Sequence, residues 1–434
     1  MEQIIQEIVE KALLVGVRLL EVTKTSADES LDELARLADT AGVEVMERVF
    51  QSRESPDSAY FVGKGKAEEI AAIYKELDLS TVIFDVDLSP AQTRNLEEII
   101  EGKVIDRTRL ILDIFAQHAR TKEAMLEVEL AQLSYQLPRL TRLWTHLSRQ
   151  TAGAQSGGVG TRGPGEKQLE LDRRLIRNRM SSLKHSLDKV KENRNLERKS
   201  REDTFSIAIV GYTNAGKSTL LNALANEHLY TDDKLFATLD PVTRIVHLSD
   251  NYSVLATDTV GFIRNLPHHL IASFRATLEE VNKANLLLHV VDASHPNVTE
   301  QIEAVDVVLK QLGAKDIPTL MVLNKTDRLD DLDALSDLSQ SYPEGIAVSA
   351  LCGTGLDALK VRLLEEASSN EIEVNFEIPQ THGQIINYIY NHGRIINKEF
   401  KDGFVCLQAR MDRKYADKLN KIMKELNAQV TYIA

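Results

Sequence analysis

The stretch FSIAIVGYTNAGKSTLLNALAN, residues 205–226, decides the fold. An apolar run leads into GYTNAGKS (211–218), and a helical pattern follows it without a break. A strand that turns through G-x-x-x-x-G-K-S into a helix is a phosphate-binding loop of an α/β sheet. Its glycines let backbone N–H groups approach phosphate oxygens without side-chain clash. The helix N-terminus adds partial positive charge. In such a loop Lys217 reaches the β and γ phosphates and the Ser218 hydroxyl ligates Mg²⁺. The expected contact set is Gly211, Tyr212, Thr213, Asn214, Ala215, Gly216, Lys217, Ser218 and Thr219.

Three segments downstream narrow the ligand. NKTD (324–327) ends the strand pattern IPTLMVL. Guanine offers two adjacent donors on its Watson–Crick edge, and the Asp327 carboxylate can accept both, whereas adenine would leave it badly paired. Asn324 can bridge to the phosphate loop, the Lys325 stem can pack on the base, and Thr326 lies between Lys325 and Asp327. DTVG (258–261) ends a second strand. Asp258 is expected in the Mg²⁺ shell, through water, and the Gly261 N–H at the γ-phosphate, with Thr259 and Val260 between them. Ser349, Ala350 and Leu351 end a third strand and could offer backbone N–H groups to the guanine oxygen. All of these lie at strand C-terminal ends, where open α/β sheets bind ligands.

Five separated motifs in this order resemble a translation-factor-type GTPase domain of the Ras-like superfamily, over residues 204–368. The resemblance implies GTP and Mg²⁺ as ligands. It makes Thr238 in FATLD (236–240) the switch threonine, contributing to Mg²⁺ and sensing the γ-phosphate, with Phe236, Ala237, Leu239 and Asp240 beside it. One position departs from the pattern. Many such domains place a water-orienting glutamine after the glycine of the second switch; here it is Phe262, which cannot hydrogen-bond water. Slow intrinsic hydrolysis is therefore expected. Asn214 resembles the asparagine with which some potassium-activated GTPases hold K⁺ near the phosphates.

The rest of the chain supplies the setting. At 434 residues it is too long for one core. With 43% hydrophobic and 27% charged residues it reads as soluble and globular. Cys352 and Cys406 are the only cysteines and form no C-x-x-C, which argues against a disulfide framework or zinc site and fits a reducing cytosol. The N-terminus lacks the features of a signal peptide, and no apolar run is long enough to span a bilayer. The net charge of −13 hides an asymmetry: residues 107–200 hold 19 Lys and Arg against 10 Asp and Glu. A basic segment in an acidic chain suggests a polyanion-facing surface.

Four units are expected in this α/β multidomain chain: an N-terminal α/β domain (1–106), a basic helical hairpin (107–203), the GTPase domain (204–368) and an α+β tail (372–434). In the second unit, residues 110–147 show apolar spacing of one long helix, while Leu169, Ile176, Leu183 and Val190 recur every seven residues as in a coiled-coil seam. Between them lies GAQSGGVGTRGPGEK (153–167), in a tip loop spanning 150–166. Gly158, Gly160 and Gly163 spell G-x-G-x-x-G, but the dinucleotide fingerprint must follow a strand, and this one follows a helix. A flexible cationic tip suits phosphate-backbone contact with structured RNA. Arg142, Arg149, Arg162, Lys167, Arg173, Arg174 and Arg177 are the candidate contacts, with Arg139 and Arg179 also on the flanking helices.

The block GGVGTRGPGEKQLELDRR (157–174), with DRTRLILDIFAQHARTKEAMLEVELAQL (106–133) before it, resembles the HflX family. That resemblance implies a monomeric, cytoplasmic GTPase, in part peripherally membrane-associated. It implies docking on the large ribosomal subunit, splitting of stalled or idle ribosomes, and hydrolysis stimulated by the ribosome. Two alternatives stay open: a GTPase acting in large-subunit maturation, and an RNA-remodelling NTPase.

Overall fold

A computed structural model describes residues 9–19, 23–143, 164–198, 204–226, 234–249, 252–264, 267, 275–329, 332–369, 371–401, 403–425 and 429–433. The chain opens with strands β1 (Glu10–Leu19), β2 (Val43–Arg53), β3 (Thr81–Phe84) and β4 (Lys103–Asp106). They form a parallel sheet in the order β2-β1-β3-β4. Helices α1 (Lys24–Thr40), α2 (Lys64–Glu76) and α3 (Pro90–Ile100) connect them. Ser89 and Gln92 close a capping box at the start of α3, with Pro90 in its first turn. Successive β1 residues alternate between two cores. Ala12 and Leu14 pack with Leu34 and Leu37 of α1, while Leu13 and Val15 pack with Ile70 of α2 and Leu96 of α3. Burial on both faces explains why β1 reads as a continuous apolar run.

Residues 107–143 fold as two helices, α4 (Arg107–His118) and α5 (Lys122–Leu143), and this corrects the expectation of one long helix. Ala119 turns extended (ψ 114°), and the Thr121 hydroxyl caps α5 by accepting the Ala124 N–H at 3.2 Å. The apolar side of α4 is buried in a core that the first domain shares with the GTPase unit: Leu110, Ile111, Ile114 and Phe115 lie in it. Helix α6 (Pro164–Arg198) packs on α5 through Leu183, Leu187 and Met180 against Leu126, Leu130 and Leu133. Leu183 of the seven-residue pattern is therefore in this seam, together with Met180 and Leu187, whereas Leu171 and Leu175 beside it are exposed. Pro164 opens α6, so the helix takes up residues 164–166 that the sequence pattern assigned to the tip loop; proline presets the first-turn φ.

The second sheet has strands β5 (Ser206–Gly211), β6 (Val242–Ser249), β7 (Tyr252–Asp258), β8 (Leu286–Asp292), β9 (Thr319–Asn324) and β10 (Ile346–Ala347), in the order β10-β9-β8-β5-β7-β6. All pairs are parallel except β6 with β7. Strand β6 escapes a search for buried runs because it lies at the sheet edge and alternates exposed and covered residues. Helices α7 (Lys217–Ala225) and α11 (Leu356–Ser368) cover one face; α8 (Arg275–Lys283) and α9 (Val298–Leu312) cover the other, with α10 (Leu332–Ser341) near β9. The core of the second face is continuous with the first domain: Phe236, Phe262 and Val305 share a buried cluster with Leu34, Leu37 and Phe115.

The tail is a β-α-β-β-α-β unit: β11 (Glu371–Pro379), α12 (Gly383–His392), β12 (Gly393–Lys401), β13 (Phe404–Asp412), α13 (Arg413–Glu425) and β14 (Gln429–Ile433). Its antiparallel sheet runs β12-β13-β11-β14. Gly403, at φ +86°, lies in the β12–β13 turn, where a left-handed residue matches hairpin twist.

Candidate nucleotide site

The phosphate loop forms where β5 gives way to α7. Asn214 (φ +60°) and Gly216 (φ +89°) both adopt left-handed backbone, wrapping 211–217 into a cradle. A Cβ at Gly216 would stand 2.3 Å from Asn324 Nδ2, so only glycine lets the NKTD segment close on this loop. Lys217 is buried, and its ammonium donates to the Tyr212 carbonyl at 2.8 Å. Burial pushes Lys217 down to about 8, against the pull of Asp258. The Ser218 hydroxyl lies 2.6 Å from Asp258 Oδ2 and 2.8 Å from Thr238 Oγ1. Burial pushes the Asp258 carboxyl up, against the pull of Lys217. Two buried oxygens here, Asp258 Oδ1 and Thr213 Oγ1, have no hydrogen-bond partner among the described residues. Three hard oxygen donors thus converge from α7, β7 and the 234–240 segment, a donor set that fits Mg²⁺.

A cavity of about 470 Å³ opens beside these groups. Its walls include Thr213, Asn214, Gly216–Thr219, Phe236–Asp240, Thr259 and Gly261. Several predicted contacts also engage their side chains elsewhere. Tyr212, Phe236, Leu239 and Val260 are buried in the cluster shared with the first domain. The Thr259 hydroxyl donates to the Ile209 carbonyl. Phe262 is 1% exposed, and its backbone brackets the loop: its N–H donates to Gly211 O at 3.0 Å and its carbonyl accepts from the Thr213 N–H at 2.7 Å. The Asp240 carboxylate is engaged by the α4–α5 connection.

At the other end, Asn324 ties three segments. Its Nδ2 donates to Ala215 O at 2.9 Å, and its Oδ1 accepts the Ala350 N–H at 3.0 Å. The Lys325 ammonium pairs with Asp292 Oδ2 at 2.8 Å, which pins its stem. Asp327 is exposed, with Oδ1 accepting the Ser349 hydroxyl at 2.5 Å. Ser349 is buried, Ala350 nearly so, and Leu351 is 76% exposed.

Residues with no motif of their own connect this site to the first domain. The Tyr212 hydroxyl donates to Glu33 Oε2 at 2.5 Å and accepts the Arg264 N–H at 2.9 Å. Glu33 Oε1 receives Arg107, which also pairs with Asp85 at 2.7 Å and donates to the Arg264 carbonyl. Burial pulls on the Arg107 guanidinium, but Glu33 and Asp85 hold its pKa above the ordinary value. Arg264 itself pairs with Glu29 and Glu300. No local pattern marks Glu33, Arg107 or Arg264; the break HART in an apolar helical run was the one available sign that 118–121 leaves the helix.

The basic candidates divide. Arg174 and Arg177 are exposed and Arg173 is half-buried on α6. Arg139 is consumed internally: it stacks on Tyr135 at 3.4 Å and donates to Leu88 O and Asp106. Arg179 forms a two-pronged pair with Glu129. Arg149 and Arg162, and the side chains of Arg142 and Lys167, lie outside the described residues.

Residues 28–116 match the family described as GTP-binding GTPase N-terminal, and 118–201 its middle region. Residues 206–325 match the family described as 50S ribosome-binding GTPase, and 334–431 the HflX C-terminal domain. GTPase HflX of Escherichia coli (strain K12) is 46% identical over 407 residues, covering 93% of each chain. This chain belongs to the HflX family of GTPases. GTPase HflX of Caldanaerobacter subterraneus is 42% identical, with 95% of this chain and 94% of that one covered. Among solved structures, the SsGBP–GDP complex aligns at a TM-score of 0.47 with 26% identity, covering 83% of this chain and 99% of that chain. The family is GTP-binding, and among the described residues no helix is long and apolar enough to cross a membrane.

Proposed function

We propose that this GTPase docks on the large ribosomal subunit in its GTP state and splits stalled or idle ribosomes, with subunit contact stimulating hydrolysis. The observation that carries the reading is Asp240. This carboxylate, two residues past Thr238, grips Arg120 and Thr121, and Thr121 caps α5, the first helix of the basic pair. A γ-phosphate that draws in Thr238 thereby acts on the base of a long basic lever. The unit limits we propose are 1–106, 107–203, 204–368 and 372–434, with α5, α6 and the tip forming the lever toward ribosomal RNA.

In this reading Lys217 and the loop N–H groups hold the β and γ phosphates, Asp327 reads guanine, and Ser218, Thr238 and Asp258 hold Mg²⁺. Bound there, Mg²⁺ supplies charge neutralisation to the phosphates. The chain works as a monomer. Phe262 is buried and orients no water, so the isolated chain turns over slowly; a rate on the order of tens per minute would contradict this. Asn214, in left-handed backbone at the loop crest, is the K⁺ ligand. Turnover is expected to be faster in potassium than in sodium buffer, and equal rates in the two would remove that role.

Splitting is tested by light scattering of assembled ribosomes. Addition of the chain with a non-hydrolysable GTP analogue is expected to drop the signal, and GDP to leave it unchanged. Binding to free large subunits without any loss of assembled ribosomes would favour a maturation role instead.

A further inference from the structure

The cavity at the phosphate end has a wall that does not come from the GTPase domain: His118 and Arg120, from the connection between α4 and α5, line it. Arg120 is fixed there by its own backbone. Its N–H donates to Asp240 Oδ2 at 3.0 Å, the Thr121 N–H donates to the same oxygen at 3.1 Å, and the Thr121 hydroxyl donates to Oδ1. Phe115, one turn before the connection, meets Phe236 edge-to-face at 4.7 Å. The segment carrying Thr238 and the backbone carrying Arg120 are therefore clamped together at two points.

The Arg120 side chain is exposed at the cavity and makes no hydrogen bond or ion pair among the described residues. The other cations along this wall are placed differently. Lys217 is hydrogen-bonded to the Tyr212 carbonyl, and Arg244 donates to the Thr243 carbonyl. Lys234 precedes the clamp rather than sitting in it. His118 Nδ1 lies 3.0 Å from the Ile114 carbonyl, which fixes its ring. Phe262 has left the reaction without a water-orienting side chain, so electrostatic stabilisation has to come from elsewhere in the pocket.

We infer that Arg120 is a catalytic residue for GTP hydrolysis, a guanidinium supplied in cis that stabilises charge on the transferring phosphoryl group, with Asp240 its positioning residue. In the step, a water oxygen bonds to Pγ while the bond from Pγ to the β–γ bridging oxygen breaks. GDP leaves with that electron pair, and the water protons pass to phosphate and solvent. A planar fork with delocalised charge suits the spread charge of this transition state better than a point ammonium. The inference rests on the proposed reading of the cavity as the GTP phosphate site. It also explains why the first domain and α5 pack on this wall: they deliver the residue.

The test is single-turnover hydrolysis by the full chain preloaded with GTP, together with affinities for GDP, a non-hydrolysable GTP analogue and GDP with fluoroaluminate. Arg120→Ala is expected to slow hydrolysis at least about tenfold and to weaken fluoroaluminate trapping, while GDP and analogue affinities stay within about twofold. Arg120→Lys should recover only a minor part. Asp240→Ala should give a similar loss, and the double variant no further loss, because the pair acts as one unit. Hydrolysis by Arg120→Ala at the wild-type rate would overturn the inference. So would an equal loss of ground-state analogue affinity, or a rate loss on Lys234→Ala in place of Arg120→Ala. Failure of the wild-type chain to bind guanine nucleotide at all would instead defeat the reading of the cavity.

Discussion

Asp327→Asn is expected to lower affinity for GTP by about three orders of magnitude, about 4 kcal/mol, and to raise affinity for XTP. Guanine presents N1–H and a 2-amino group, both donors. The carboxylate accepts both, in charge-assisted bonds. An asparagine amide keeps one acceptor and points a donor at the 2-amino group, so one bond is lost and a donor faces a donor. Xanthine carries a carbonyl at that position and matches the amide. The geometry supports a rigid reader: Ser349 holds Asp327 Oδ1 at 2.5 Å, and Asn324 fixes the segment to both Ala215 and Ala350. Equilibrium binding of fluorescent GDP and XDP measures the switch. Unchanged preference for guanine in the variant would show that Asp327 does not read the base.

The largest expected effect on stability is at Arg107. This guanidinium is 3% exposed and neutralises Glu33 and Asp85, themselves nearly buried. Arg107→Met fills much of the same volume but leaves two uncompensated carboxylates, at a cost of about 3–5 kcal/mol. The pH dependence carries the signature. Burial already pushes Asp85 up against the pull of Arg107, and without Arg107 its folded-state value rises further above that of the unfolded chain. A folded state that binds more protons gains stability as pH falls, so the variant's deficit should narrow on acidification toward that raised value. Denaturant unfolding of both proteins between neutral and mildly acidic pH checks this. A deficit under about 1 kcal/mol, flat in pH, would mean that the network contributes little.

How legible this was depended on where the constraint lies. Gly211–Ser218, Asp258, Asn324–Asp327 and Ser349 announce themselves because each chemistry is confined to a few consecutive residues. The sequence also shows that Phe262 cannot orient water, though not that its backbone brackets the phosphate loop. What stayed hidden is tertiary. The partner of Asp240 is about 120 positions upstream, and that of Tyr212 is 179 residues away. No periodicity records such pairs. Residues 110–147 read as one helix because apolar spacing alone does not reveal the turn at 119–121, after which α5 buries Ala124, Val128 and Ala131 in the core that α4 joins and sets Leu126, Leu130 and Leu133 against α6. Arg139 and Arg179 read as part of the basic surface because charge counting does not see Asp106 or Glu129 beside them.

In the proposed function GTP, acting through the 234–240 segment, sets the engagement of a basic lever with the large ribosomal subunit. Co-sedimentation with purified large subunits tests it most directly. The chain is expected to pellet at least about tenfold better with a non-hydrolysable GTP analogue than with GDP. Replacing residues 150–163 by a short linker, or combining Arg173→Glu with Arg174→Glu, should abolish the difference while leaving GTP affinity intact. Pelleting that ignores the nucleotide and survives both changes would contradict the account.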